Sequence, residues 1–272
     1  MSDLVTIDVQ DHVADDRLNR PEQMNAVNRD MWRASGEAGE ARIGDRAVRA
    51  VVLTGTGRAF CAALDMASFQ EMQSSGDAPG DGSGGGLESL GDRPENFFQR
   101  AAIVWRRVPA PVICAIHGVA YGAGAQIALG ADIRFAAPDM RFSILEIKWG
   151  LIPDVGITQT LRDVVPLDVA KELTFTGRVV DGPTAKALGL VTHVADEPLA
   201  EAMALAAEIA SKSPDAIRLG KRLFDETWHA DERTGLALEA RLQSKLIGSR
   251  NQLESIRANF EKRAPDFDLP ES

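Results

Sequence analysis

The sequence predicts an α/β fold, in which short buried strands alternate with helices in repeated strand-turn-helix units, followed by a helical C-terminal region. Three observations carry that expectation. Strand-like apolar runs at 50–53, 112–115 and 133–136 alternate with helical segments. One of them, within VICAIHGVAYGAGAQIAL at 112–129, runs through a glycine-punctuated turn straight into an apolar helix. From about residue 198 strand character is lost, and Ala, Leu and Glu recur with helical periodicity at 199–211 and 236–262. The chain thus divides into a core carrying the site, residues 1–197, and a helical region, residues 198–272.

Along the chain, VVLTGTGRAFCAALDM at 51–66 is a β-branched run that ends in a Gly-rich loop and a stretch of small residues. Small residues at 61–63 either pack a tight turn or let the backbone face a ligand. A low-complexity Gly/Ser/Asp segment follows at 74–91 and is expected to be a mobile exposed loop. The glycine turn at 118–124 comes next, its glycines Gly118, Gly122 and Gly124 expected to let a substrate approach the main chain. MRFSILEIKWGLIPDVG at 140–156 is mostly apolar yet carries Glu146, a charge that is costly there without purpose or partner. Glu146 reads as a general base, against the plainer readings of a strand-surface glutamate or an ion pair with Lys148.

Three chemistries compete for the glycine turn. A phosphate loop needs GxxxxGK followed by Ser or Thr, and no Lys follows Gly124. A dinucleotide fingerprint needs GxGxxG at the first strand, whereas here Gln126 and Ile127 intervene mid-chain. An oxyanion site needs a second backbone donor from a separate turn and a nearby carboxylate, and the 51–66 turn and Glu146 offer both. A helix N-terminus also leaves its first amides free to meet an oxygen that becomes negative.

Composition removes other classes. The 272 residues are 44% hydrophobic and 26% charged, ordinary for a globular domain. A net charge of −10 argues against a nucleic-acid surface. No 18-residue apolar span or signal pattern appears, so the expected location is cytoplasmic and away from membranes. Cys61 and Cys114 read as reduced, buried thiols, and the four histidines, His117 among them, show no metal-ligand spacing.

Six motifs in order carry a resemblance. LNRPEQMNAVN at 18–28, RAFCAALDM at 58–66, IHGVAYGAGAQIALGADIRFAA at 116–137, WGLIPDVGITQTL at 149–161, TGRVVDGPTAKALGLVTHV at 176–194 and FEKRAPDF at 260–267 resemble the crotonase family of enoyl-CoA hydratases and isomerases. The resemblance implies a ββα spiral core whose C-terminal helices pack between subunits of a homotrimer or dimer of trimers. It implies that the backbone amides of Leu64 and Ala123 form an oxyanion hole for a CoA thioester, with contacts to CoA or substrate from Ala26, Ala62, Asp65, Met66, Gly122 and Lys262. Arg17 or Arg20, and Lys262 or Arg263, resemble positions that meet CoA phosphates. No cofactor is implied, because coenzyme A belongs to the substrate.

The family's acids are where this chain departs. Hydratases hold water between two glutamates twenty residues apart; Gln126 stands at the first position and Glu146 at the second. An amide orients water but cannot exchange a proton at neutral pH. Asp154, eight residues after Glu146, resembles an acid of the dienoyl-CoA isomerases, although an N-cap after Pro153 explains it equally simply. Ala63 stands where the family usually has glycine, just before the first donor. The expected activity is double-bond isomerisation by Glu146; the alternatives are hydration with Gln126 positioning water, and a non-catalytic acyl-CoA-binding paralogue.

Overall fold

Three consecutive chain segments each place one strand in each of two sheets, which is what makes the fold a spiral. The computed structural model describes residues 3–75, 87 and 92–271, so the 74–91 segment lies outside the described residues apart from Ser74, Ser75 and Leu87. An antiparallel pair, β1 (Val5–Gln10) and β2 (Val13–Leu18), precedes the spiral, joined through Asp11 and His12. Helix α1 (Arg29–Gly44) follows, its N-cap Asn28 accepting the Met31 N–H. The first turn supplies β3 (Ala50–Gly55) and β4 (Cys61–Ala62), then α2 (Met66–Ser75) and α3 (Phe97–Arg107). The second supplies β5 (Val112–Ile116), β6 (Val119–Tyr121) and α4 (Ala123–Leu129). The third supplies β7 (Ile133–Ala136) and β8 (Arg141–Ser143), ending in a 3-10 turn at Glu146–Trp149.

After them come α5 (Ile157–Thr160), α6 (Leu167–Thr176), α7 (Gly182–Leu188) and the edge strand β9 (His193–Val194). The larger sheet has the order β1-β2-β3-β5-β7-β9 and the smaller β4-β6-β8, every pair except β1–β2 being parallel. The central strands β3 and β5 are buried along their whole length, which is why they read as nearly continuous apolar runs.

The period-two alternation of strands sorts residues between two cores. Val51, Leu53, Val112, Cys114 and Ile116 face the main core with α1, α3 and α4. Ala50, Val52, Ile113 and Ala115 face the opposite side and meet Ala202, Ala206 and Ala210 of α8 (Pro198–Ala210). Each fully buried Val, Leu or Ile contributes about 1.5–3 kcal/mol relative to exposure. The alanines, four apart on one helix face, let α8 lie close on the sheet. The first helix of the C-terminal region therefore packs with the core.

Beyond it lie α9 (Pro214–Thr227), α10 (Glu232–Leu246) and α11 (Arg250–Glu261). The single helical pattern expected over 236–262 is two helices, because Gly248 takes φ 79° and Ser249 then caps α11. No helix among the described residues is long and apolar enough to cross a membrane.

Candidate functional site

The β6–α4 turn brings backbone donors to the centre of the smaller sheet. Gly122 adopts φ 51°, ψ −116°, a conformation open to glycine, and its N–H donates to Ser143 O on β8 at 2.9 Å. That bond anchors the turn, and the next amide, Ala123 N–H, meets no acceptor among the described residues. The other two glycines serve packing instead of substrate approach. A Cβ on Gly118 would lie 2.1 Å from Arg58 O, and one on Gly124 would lie 2.4 Å from Cys61 O, so both let chain cross chain.

The second turn is clamped by α1's leader. Val27 N–H donates to Ala63 O at 2.8 Å and Asp65 N–H to Val27 O at 3.0 Å, a one-residue parallel bridge opposite Leu64. Because Val27 engages both neighbours of Leu64, the Leu64 N–H points away from the bridge and has no acceptor among the described residues. Ala63 is forced to φ 73°.

Asn25 holds the same loop from behind, a role the motif alone gave no sign of. It sits at φ 55°, accepts the Arg20 N–H at 2.7 Å and donates to Thr56 O at 2.9 Å and Ala59 O at 2.8 Å. Its readable signal is that asparagine tolerates the left-handed region better than other non-glycine residues.

Glu146 begins the 3-10 turn after β8, so it is neither a strand-surface residue nor Lys148's partner; the Lys148 ammonium lies over the Trp149 ring. Its Oε1 accepts from Gln126 Nε2 at 2.6 Å, and Gln126 Oε1 accepts the Val155 N–H at 2.8 Å. Gln126 is fully buried in α4, and these two bonds fix its amide orientation. Glu146 Oε2 is buried with no hydrogen-bond partner among the described residues. Burial pushes the Glu146 carboxyl above its usual range, and the Asp154 charge adds to the rise while the Gln126 N–H opposes it.

A single point relates the two turns to the acid. A Cβ built on Gly122 would lie 3.2 Å from both Ala63 Cβ and Glu146 Oε1. Both turns and the carboxylate therefore border one gap.

Asp154 does not cap a helix: the N-cap of α5 is Gly156, with no side-chain cap bond, so the capping explanation fails. Its carboxyl is raised by desolvation although the residue keeps solvent access in the single chain.

The other candidates are spread more widely. Ala26 has its N–H on Gln23 O and its carbonyl on the Arg20 guanidinium, and Ala62 N–H donates to Met24 O. Asp65 accepts the Ser68 N–H at the start of α2 and pairs with Arg20 at 2.9 Å, so its side chain is committed within the loop. Arg20 is thereby engaged, Arg17 pairs with Asp15, and Arg263 pairs with Glu254 and Glu261. Met66 is exposed, as is Lys262, which ends α11 at φ 53°.

His117 packs at the end of β5, its Nε2 3.0 Å from Gly57 O. Cys61 and Cys114 are free and buried, and no cluster suited to a metal occurs among the described residues. A cavity of about 540 Å³ lies on the α3 side, bordered by Gln99, Ile103 and Gly156, without reaching Glu146.

Two amides without acceptors among the described residues, beside a partly buried carboxylate on a spiral of parallel strands, define the class by its architecture. Comparison with known proteins gives the class its family. The sequence profile described as enoyl-CoA hydratase/isomerase matches residues 8–269. A 1,2-epoxyphenylacetyl-CoA isomerase of Escherichia coli K12 is 37% identical over 62% of this chain and 60% of its own length. The mitochondrial Delta(3,5)-Delta(2,4)-dienoyl-CoA isomerase of Mus musculus is 35% identical over 93% of this chain and 78% of its own. Among solved structures, an enoyl-CoA hydratase from Bacillus anthracis superposes with a TM-score of 0.82 at 29% identity, covering 97% of this chain and 98% of that one. The chain belongs to the enoyl-CoA hydratase/isomerase family and is an enzyme of crotonase fold.

Proposed function

We propose that this enzyme moves a carbon–carbon double bond within an unsaturated acyl-CoA, with Glu146 carrying the proton. The observation behind this reading is the asymmetry of the acid pair. Glu146 Oε1 is tied to an amide that transfers no proton, while Oε2 is buried and unpartnered. One carboxylate, whose Oε1 borders the gap and is oriented by a donor that transfers no proton, suits removal of a proton from the carbon beside a thioester and its return further along the chain. The electron pair left by that proton flows onto the thioester oxygen, where the Leu64 and Ala123 amides receive it. A single donor of this kind contributes roughly 2.7–4 kcal/mol in known cases. Asp154 stands nearby to return a proton to a more distant carbon of a conjugated chain.

The test uses a medium-chain 3-enoyl-CoA and its 2-enoyl isomer in heavy water, with mass spectrometry of the acyl products. Deuterium entering a chain that stays unsaturated is expected, and its loss in Glu146→Gln assigns the step to that carboxyl. A deuterated 3-hydroxyacyl-CoA as main product would establish hydration instead, with Gln126 sufficing to place water. Turnover unchanged in Glu146→Gln would remove Glu146 from the step, and bound acyl-CoA with no product from the wild type would leave acyl-CoA binding as the role.

In this reading coenzyme A enters as part of the substrate and no further cofactor takes part. Exposed Phe224, Trp228, Leu236, Ile247, Leu253 and Phe260 on and between α9, α10 and α11 support assembly through the C-terminal helices, as a homotrimer or dimer of trimers. Two buried free thiols fit a reducing, cytoplasmic setting.

A further inference from the structure

The gap shared by the two turns contains one side chain whose backbone is strained. Ala63 holds φ 73°, a region that residues with a Cβ rarely enter. The clamp explains how the conformation survives: its carbonyl is bound by Val27 N–H, and Val27 O binds the Asp65 amide two residues on. The Ala63 methyl consequently cannot swing aside. It lies 3.2 Å from the place a Gly122 side chain would occupy, and that place is 3.2 Å from Glu146 Oε1.

The two free amides belong to the residues that directly follow, Leu64 after Ala63 and Ala123 after Gly122. A thioester oxygen reaching those amides puts the adjoining C2 carbon beside the gap bordered by the methyl, the bare Gly122 Cα and the carboxylate. A flat, unbranched C2 can lie there, whereas a methyl branch competes with the Ala63 methyl for the same few ångströms. We propose that Ala63 is a specificity residue that excludes acyl-CoA thioesters branched at C2. This rests on the acyl-CoA reading of the site and names its substrate class.

Binding of saturated thioesters separates the pocket from the chemistry. Calorimetry is run with hexanoyl-CoA and 2-methylhexanoyl-CoA against the wild-type protein and Ala63→Gly, a change that its positive φ tolerates. The wild type is expected to prefer the straight chain at least 10-fold, and Ala63→Gly to cut that preference at least 5-fold. Equal affinities in the wild type, or a preference untouched in Ala63→Gly, overturn the proposal; failure of both ligands to bind overturns it together with the acyl-CoA reading. A 10-fold preference that collapses in Ala63→Gly, without deuterium transfer on straight-chain enoyl-CoA, sustains this inference and refutes isomerisation alone.

Discussion

Gln126→Glu replaces one NH2 by oxygen at constant volume and turns the amide–carboxylate contact into a pair of acids. The new carboxyl can still accept the Val155 N–H that Gln126 Oε1 now accepts at 2.8 Å. At the 2.6 Å separation from Glu146 Oε1, two full charges in an effective dielectric near 20 repel by about 6 kcal/mol. Roughly ten times thermal energy is too much to sustain, so the pair keeps one proton at neutral pH and titrates as a unit. Glu146 is then no longer free to act as a base. Deuterium uptake by a 3-enoyl-CoA should fall at least 10-fold at pH 7 and recover as pH rises. The retained proton raises the folded-state titration, so stability matches the wild type in acid and declines as pH climbs through the pair's upper step. Gln126→Leu is the contrasting control. It removes a charge-assisted bond of about 1.5–3 kcal/mol and orphans the buried Val155 amide at about 1–3 kcal/mol, and should lower stability by roughly 2.5–6 kcal/mol where Glu146 is ionised and by less in acid. Exchange in Gln126→Glu with wild-type rate and pH profile would refute the reasoning, since Glu146 would then not be the base.

Two further outcomes follow from the buried carboxyls. The acid limb of the wild-type rate profile should lie above the ordinary glutamate value of 4.5, and Asp154→Asn should move it to lower pH because the Asp154 charge is one of the causes of the rise; an unmoved limb would separate Asp154 from the site. Asp16, fully buried on β2 with Arg42 Nε 3.6 Å away and neither oxygen hydrogen-bonded, is pushed from 3.8 to about 7 by burial, which Arg42 offsets only in part. A carboxyl raised in the folded state contributes stability below its unfolded value and loses it as pH rises through the folded one. Denaturant titrations should therefore show wild-type stability falling relative to Asp16→Asn by up to roughly 4 kcal/mol between pH 4 and pH 8, and parallel curves would contradict the burial argument.

The strands of the spiral were legible because strands covered on both faces are mostly apolar, and 133–136 matches β7 from end to end even though it carries Arg134, whose buried guanidinium donates to the Leu190 and Ala131 carbonyls. The C-terminal helices were less so. Periodicity continues across Gly248, and only its positive φ and the Ser249 cap show the break. Among site residues, Glu146 stood out because a charge in an apolar run is costly. Asn25 did not, because its worth lies chiefly in two bonds, to Thr56 O and Ala59 O, more than thirty residues away. Gly118 and Gly124 misled for a related reason: the sequence marks where a side chain is forbidden without saying whether a ligand or another strand forbids it.

Main-chain donors explain why this chain can differ from its family at positions that look essential. The amides of Leu64 and Ala123 are presented by the bridge to Val27 and by the Gly122–Ser143 bond, neither of which depends on the side chains at 64 or 123. What the side chains decide is the rest of the chemistry. With glutamine at 126, the carboxylate at 146 gains an orienting donor that opposes the rise in its pKa, and loses any second acid across a water. With alanine at 63, a strain of about 1–2 kcal/mol is tolerated at a place where glycine would remove it. A constraint that costs stability beside two free amides and the Glu146 carboxylate is best understood through what its methyl keeps out.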